Sequence, residues 1–313
     1  MRVEQLRGGL LETVHPISAV AVDARGISWS VGPDVGTFWR SSSKPMQLLT
    51  SLECLEPGVV AGLDDRDLAL GAASHGATPM HVAAVRGLLQ RFGLDAEDLR
   101  CGAHWPSDEA SAHQLAGEGG TPTALHNNCS GKHTFMLAAT AASGWARDYR
   151  PVDHPLQVRN QARVAEWGGV RPGIGVDGCG VPTFHVPLSA MARSFARLAD
   201  EMREGSLAGR IGRAMAREPE LTSSPGEIDV TLVRSATETV AAKRGAEGLI
   251  CVAVPGRRLG LAVKCHTGNT QALGVGLRAV LDEVAPDLAP DWRWGHEVRN
   301  VVGLLVGERR AAR

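Results

Sequence analysis

Aromatic residues make up only 4% of this 313-residue chain, and just one of them is a tyrosine. The core must therefore come mainly from Ala, Val and Leu. Charge of either sign is balanced to a formal −1, and no basic tract stands out. That balance argues against nucleic acid or an anionic membrane as a partner. No uninterrupted apolar run approaches the roughly 20 residues of a membrane-crossing helix. The opening MRVEQLRGGLLETVHPISAVAVD carries charges early and lacks the apolar stretch and small-residue cleavage site of a secretory signal. A cytoplasmic protein without membrane or nucleic-acid partners is expected. The cysteines (Cys54, Cys101, Cys129, Cys179, Cys251, Cys265) are thinly spread. In that setting they read as buried thiols, one or two of them ligands, and not as disulfides. There is no G-x-G-x-x-G after a strand and no Walker lysine, so a nucleotide site is not expected.

What is present falls into a clear order. Ile17–Asp23 and Gly26–Gly32 read as a hairpin around "ARG". Helical periodicity dominates the middle: Lys44–Leu55, Pro79–Phe92, Ser130–Ser143, Pro155–Trp167 and Pro187–Arg203. Strands return at Leu249–Val254 and Leu259–Lys264 around "PGRR", followed by an amphipathic stretch, Asn269–Val284. The final GHEVRNVVGLLVGERRAAR reads as a strand with a frayed basic tail. The pattern predicts an α+β fold in which N- and C-terminal strands share one antiparallel sheet flanked by helices, with a central, mainly helical lobe. The expected organisation is one catalytic domain, 1–313, with an α/β lobe from about 1–70 and 225–313 and a helical lobe of about 71–224.

Five stretches concentrate chemistry: "RSSSKPMQLL" from Arg40, "AASHGATPMH" from Ala72, "LHNNCSGKHTF" from Leu125, "GVDGCGVPTF" from Gly175 and "KRGAEG" from Lys243. Each has an ordinary structural reading. The serines at 41–43 and Ser74 suit helix or turn caps, and Pro45 suits a first turn. Cys129 and Cys179 suit small buried hydrophobes, Lys132 a solvated charge, His133 a satisfied helix residue and Asp177 an Asx turn. Taken jointly they point to nucleophilic catalysis. A serine hydroxyl needs a base, and lysine serves only if burial or a neighbouring cation lowers its pKa well below about 10.4. Ser41 and Lys44 stand three apart on one helical face, and Lys243 is a second lysine available to Ser74. Ser-x-x-Lys followed by a later Lys-x-Gly ahead of a strand is the pairing of serine β-lactamases and penicillin-binding proteins, although "KRG" departs from their K-T-G in its middle residue.

In order, "RSSSKPMQ", "ASHGATPMH", "HNNCSGKHTFML", "VDGCGVPTF" and "KRGAEG" resemble the motifs of the Rhizobium-type L-asparaginases, the asparaginase II family. The likeness runs from Leu6–His15 to about Thr267–Gly274, and the "TGGT" opening of the threonine-nucleophile asparaginases is missing. The resemblance implies a serine β-lactamase/glutaminase-like fold, a homodimer, and hydrolysis of L-asparagine to L-aspartate and ammonia. It implies Ser41 as nucleophile with Lys44, Ser74 with Lys243 as a second tandem, and a zinc ion (Zn2+) held by Cys129, Lys132 and Cys179. Substrate contacts are expected from Arg40, His75, Asn127, Asp177 and Gly178. One departure is "SHGATPMH", where the family more often carries an acidic residue after the glycine. Lysine is a rare zinc ligand because it must be neutral to coordinate, so binding should weaken as pH falls. Three readings compete: a glutaminase or other serine amidohydrolase on the same scaffold, an N-terminal-threonine hydrolase cleaved at Gly120–Thr121, and a non-catalytic zinc-binding or ligand-sensing protein.

Overall fold

The computed structural model describes residues 1–313. Eleven strands form: β1 (Arg2–Arg7), β2 (Leu10–Asp23), β3 (Gly26–Val31), β4 (Gly36–Phe38), β5 (Gly173–Val176), β6 (Pro182–Pro187), β7 (Ala241–Gly245), β8 (Leu249–Val254), β9 (Leu259–Cys265), β10 (Glu297–Arg299) and β11 (Leu305–Ala312). The large sheet runs β10-β11-β1-β2-β9-β8-β7, with β3 also paired to β2. All its pairings are antiparallel. Every residue of β8 and β9 is buried, because helices cover both faces at the sheet centre. Helix Thr270–Val284 packs one face, with Leu273 and Leu277 in the same cluster as Ile17, Ile250 and Val263. Helix Leu188–Glu204 joins the opposite face, where Val20, Cys251 and Ala262 belong to the larger core. That core continues into the helices between β4 and β7, which include Lys44–Leu52, Asp65–Gly71, Pro79–Arg91, Ser130–Ala142 and Pro155–Gly168.

The α+β class and the shared sheet of terminal strands are as the sequence predicts. Three details differ. β4, β6 and β5 make a second, three-stranded sheet beside the helices. Its strands are short, and β5 is half glycine, so they carry no alternating pattern to read. The basic C-terminus is not a frayed tail. Leu305–Ala312 lies between β10 and β1, with Ala312 opposite Arg2. Lys243 leads into strand Leu249–Val254 as expected, but it also lies inside a strand of its own, β7, paired with Cys251 of β8. No helix is long and apolar enough to cross a membrane.

Candidate active site

β4 delivers the chain to buried Trp39, whose N–H donates to Phe184 O of β6 at 2.8 Å. The backbone then turns through Arg40 in the left-handed region, φ 50°, and enters a 3-10 turn, Arg40–Ser43, that runs into helix Lys44–Leu52. A non-glycine residue there is strained, and such strain persists only where the surroundings fix it. Here they do: Arg40 Nε donates to Asp177 Oδ1 at 2.7 Å, and Ser43 Oγ donates to Arg40 O at 2.8 Å. None of the three serines caps the helix through its side chain. Ser42 Oγ instead donates to Lys243 O at 2.8 Å, stapling the turn to β7. This staple explains the glycine in "KRG": a Cβ on Gly245 would come within 3.0 Å of Ser42 Oγ and 3.1 Å of Trp39 O. Ser41, half-buried, faces none of these constraints, and its carbonyl accepts the Lys44 backbone N–H.

Lys44 is fully enclosed. Its Nζ donates to Ala73 O and, at 2.7 Å, to Ser74 Oγ. Burial pulls its pKa down; the Cys129 and Cys179 sulfurs oppose this, and the Lys132 cation adds to it. Lys132 is thus a cation beside Lys44 in addition to Lys243, the one the sequence suggested. Lys243 is equally enclosed, and burial brings its pKa to about 7 against the opposing Asp229 carboxylate, with Lys44 and Arg244 lowering it further. Its Nζ donates to Arg244 O at 3.1 Å and lies 3.6 Å from Asp229 Oδ2. The lysine hydrogen-bonded to Ser74 is therefore Lys44, and Ser41 Oγ makes no hydrogen bond to either lysine.

Helix Ser130–Ala142 starts immediately after Cys129 and brings Lys132 to the same buried corner. It lies so close to helix Asp65–Gly71 that a Cβ on Gly131 would overlap Leu70 O, which accounts for the glycine in "CSGKH". Lys132 is only 2% exposed, not a solvated charge, and its Nζ donates to Cys179 Sγ at 3.3 Å. Cys179 comes from the β5–β6 loop, while Cys129 Sγ donates to Asn128 Oδ1 at 3.1 Å. The neighbouring Cys179 sulfur and burial push the Cys129 thiol up to about 12. The Cys129 thiol beside it, aided by Lys132, holds Cys179 well below the usual thiol range. Burial works against the Lys132 charge, but the two sulfurs raise its pKa. Asp177 is likewise disfavoured by burial yet held below the usual carboxylate range by Lys132 and Arg40. Its side chain also accepts from Gly178 N at 2.9 Å, one residue on and not two, so the Asx turn expected from the sequence does not form; the turn is closed by Gly180 N donating to Asp177 O at 2.9 Å.

No trio of His, Cys, Asp or Glu gathers as a metal site. Cys129, Cys179 and Lys132 do converge, and two sulfurs plus an amine would fill three corners of a zinc tetrahedron and leave one open. The donor set fits the ion once the amine and thiols lose their protons.

His75 and Asn127 are occupied by the scaffold. His75 Nδ1 accepts from Ala77 N at 3.1 Å and its Nε2 meets Ser130 Oγ at 2.9 Å. The ring stacks on His81, centroids 5.0 Å apart, and burial followed by the His81 charge keeps it neutral. Asn127 Nδ2 donates to Cys101 O and Gly102 O, while its Oδ1 accepts from Cys129 N. Both residues shape the loops that carry Ser74 and Cys129. His133 Nε2 is buried without a partner.

Two further residues were not singled out from the sequence. Asp229, 2% exposed at the start of helix Ile228–Ser235, holds Lys243 and accepts Arg244 N at 3.1 Å. An acidic residue at a helix start reads as ordinary dipole matching, so nothing marked it. Ser224 Oγ is buried without a partner beside Gly76, where a Cβ would overlap it.

Among solved structures, simvastatin synthase (LovD) from Aspergillus terreus, as a LovD6 mutant, is 14% identical, covering 82% of this chain and 87% of that chain at a TM-score of 0.41. SurE with D-Leu is 13% identical, covering 100% and 83% at a TM-score of 0.40. Likeness at this level carries no argument. No curated protein matches the chain. The profile of the L-asparaginase II family matches residues 3–308, and the protein belongs to that family of enzymes, which hydrolyse amide C–N bonds.

Proposed function

We propose that the protein is an L-asparaginase that hydrolyses the side-chain amide of L-asparagine through a serine activated by lysine. The observation that carries this reading is the enclosure of Lys44. A neutral amine has two N–H groups and one lone pair. The N–H groups go to Ala73 O and Ser74 Oγ, so the lone pair is the position left for a proton from Ser41, one turn before it. Burial favours that neutral form.

In the proposed reaction Ser41 Oγ gives its proton to Lys44 Nζ and bonds to the amide carbon. The Ser41 backbone N–H, which no backbone carbonyl takes up, stabilises the oxyanion. The C–N bond breaks as the proton passes from Lys44, through Ser74, to the leaving nitrogen, which departs as ammonia. Water, deprotonated by the same lysine, releases aspartate from the acyl-enzyme. Lys243 assists electrostatically: its charge, set by Asp229, disfavours protonation of Lys44. Arg40 and Asp177 at the mouth suit the α-carboxylate and α-ammonium of the substrate, and Gly178 positions Asp177. Cys129, Lys132 and Cys179 would hold zinc, which when bound supplies a Lewis-acidic contact that orients the substrate. A homodimer, as the resemblance implies, and a cytoplasmic location, as the sequence composition suggests, complete the reading.

The Lys44–Ser74 hydrogen bond favours a second reading, in which Ser74 is the nucleophile. Ammonia release from L-asparagine and L-glutamine, measured on Ser41→Ala and Ser74→Ala, decides between them, with mass spectrometry of the quenched enzyme to locate the acyl group. The proposal requires the acyl group on Ser41 and a loss of at least about 100-fold in Ser41→Ala. Near-normal turnover by that variant rules Ser41 out, and absence of asparagine hydrolysis by the parent rules out the substrate.

A further inference from the structure

Away from the active site, the β10–β11 hairpin and the loop before it fold against the start of helix Thr270–Val284. The two approach so closely that a Cβ on Gly295, φ 80°, would overlap the Gln271 backbone. Between them lies a depression of about 430 Å³ lined by Gln271, Arg293, His296, Glu297, Arg299 and Arg309, with Gly295 and Val298.

Its charge is unbalanced. Three guanidiniums face one carboxylate, and that carboxylate, Glu297, is already tied to Arg299 at 2.7 Å. Arg293 and Arg309 donate to backbone carbonyls alone. Arg309 Nη1 reaches Gly295 O at 3.0 Å and Glu297 O at 3.1 Å, which fixes the side chain in place. Arg293 Nη1 reaches Pro290 O and Trp292 O. Arg309 Nε and His296 Nδ1 are buried without any partner. Arg278, 3% exposed, lies behind His296 and is offset by Asp282 at 2.9 Å, so it adds no net charge, although its Nε is also unpartnered. Buried polar nitrogens without partners are uncommon in folded proteins, and each one asks for an acceptor. The start of the 15-residue helix contributes positive potential to the same side.

We propose that this depression is a binding site for a phosphate-type oxyanion, either free phosphate or the phosphate group of a small monoester. Planar guanidiniums match tetrahedral oxyanions through paired N–H donors, and three of them around one cavity exceed what surface solubility needs. A depression of about 430 Å³ has room for a monoester as well as a bare ion.

Calorimetric titration of the full chain at low salt tests this, with inorganic phosphate in one arm and adenosine 5′-monophosphate in the other. Saturable binding at about 1 mM or tighter is expected. Arg293→Gln and Arg299→Gln should each weaken it about tenfold. Arg25→Gln, at the exposed β2–β3 turn, should leave it unchanged. Tighter binding of the nucleotide identifies a monoester site, and equal binding a phosphate site. Failure of the parent to saturate with either probe overturns the proposal, as does equal weakening by Arg25→Gln. Melting temperatures of all three variants confirm that each is folded.

Discussion

Replacing Asp229 by asparagine removes one buried charge while keeping the shape of the pocket around Lys243. The amide oxygen can still accept Arg244 N, which lies 3.1 Å away. Lys243 is fully enclosed, burial lowers its pKa to about 7, and Asp229 is the strongest influence opposing that fall. The Nζ to Oδ2 separation is 3.6 Å. Unit charges at that distance attract by about 4.6 kcal/mol at an effective dielectric of about 20. That corresponds to about three pH units in the proton affinity of the amine. The assay is steady-state ammonia release from L-asparagine as a function of pH. The limb of kcat/KM that follows Lys243, near pH 7 in the parent, should move towards acid by up to about three pH units. Stability gives an independent reading. A lysine with a depressed pKa makes the unfolded chain bind more protons than the folded one between the two pKa values. Parent stability should therefore rise with pH from about 7 to about 10, and in the variant that rise should begin at lower pH. A pH–rate profile superimposable on the parent's would refute the role given to Asp229.

Gly131→Ala should lower stability by about 2 kcal/mol despite better helix propensity, because its Cβ meets the Leu70 backbone, which cannot move aside; chemical denaturation checks this. Arg40→Gln should raise KM for L-asparagine about tenfold with a smaller change in kcat, as expected for the loss of a charge-assisted contact to the substrate carboxylate. Elemental analysis of protein purified without chelator should find one zinc per chain, lost in Cys179→Ser. Binding should weaken as pH falls, because the thiols and Lys132 must shed protons to coordinate.

Much of the fold was legible because the relevant strands and helices repeat their apolar pattern. "LICVAV" and "LGLAVKC" are buried throughout, and the Leu188–Glu204 helix declares its apolar face over several turns. β4 and β5 were not legible, being too short and too rich in glycine for any period to emerge. In the site, residue types were readable while their pairing was not. Spacing suggests Ser41 with Lys44 and Ser74 with Lys243, yet the loop after helix Asp65–Gly71 swings Ser74 onto Lys44. Only the packed chain reveals that Lys132 is buried beside Lys44 and that Asp229 steadies Lys243. Such long-range neighbours leave no trace in local spacing. Two glycines could be explained only afterwards: Gly131 and Gly245 are small because backbone from elsewhere in the chain presses on them.

The first and last strands of the chain lie side by side, Arg2 opposite Ala312. During synthesis β1 is thus left with a bare flank until β11 has emerged, and the contact that covers it joins strands about 300 residues apart. Long-range strand pairing of this kind slows folding and exposes an adhesive edge meanwhile. The arginines interspersed along β11 (Arg309, Arg310) and the charged β1 (Arg2, Glu4, Arg7) then serve the nascent enzyme, since charges on a waiting edge discourage it from pairing with a neighbouring molecule.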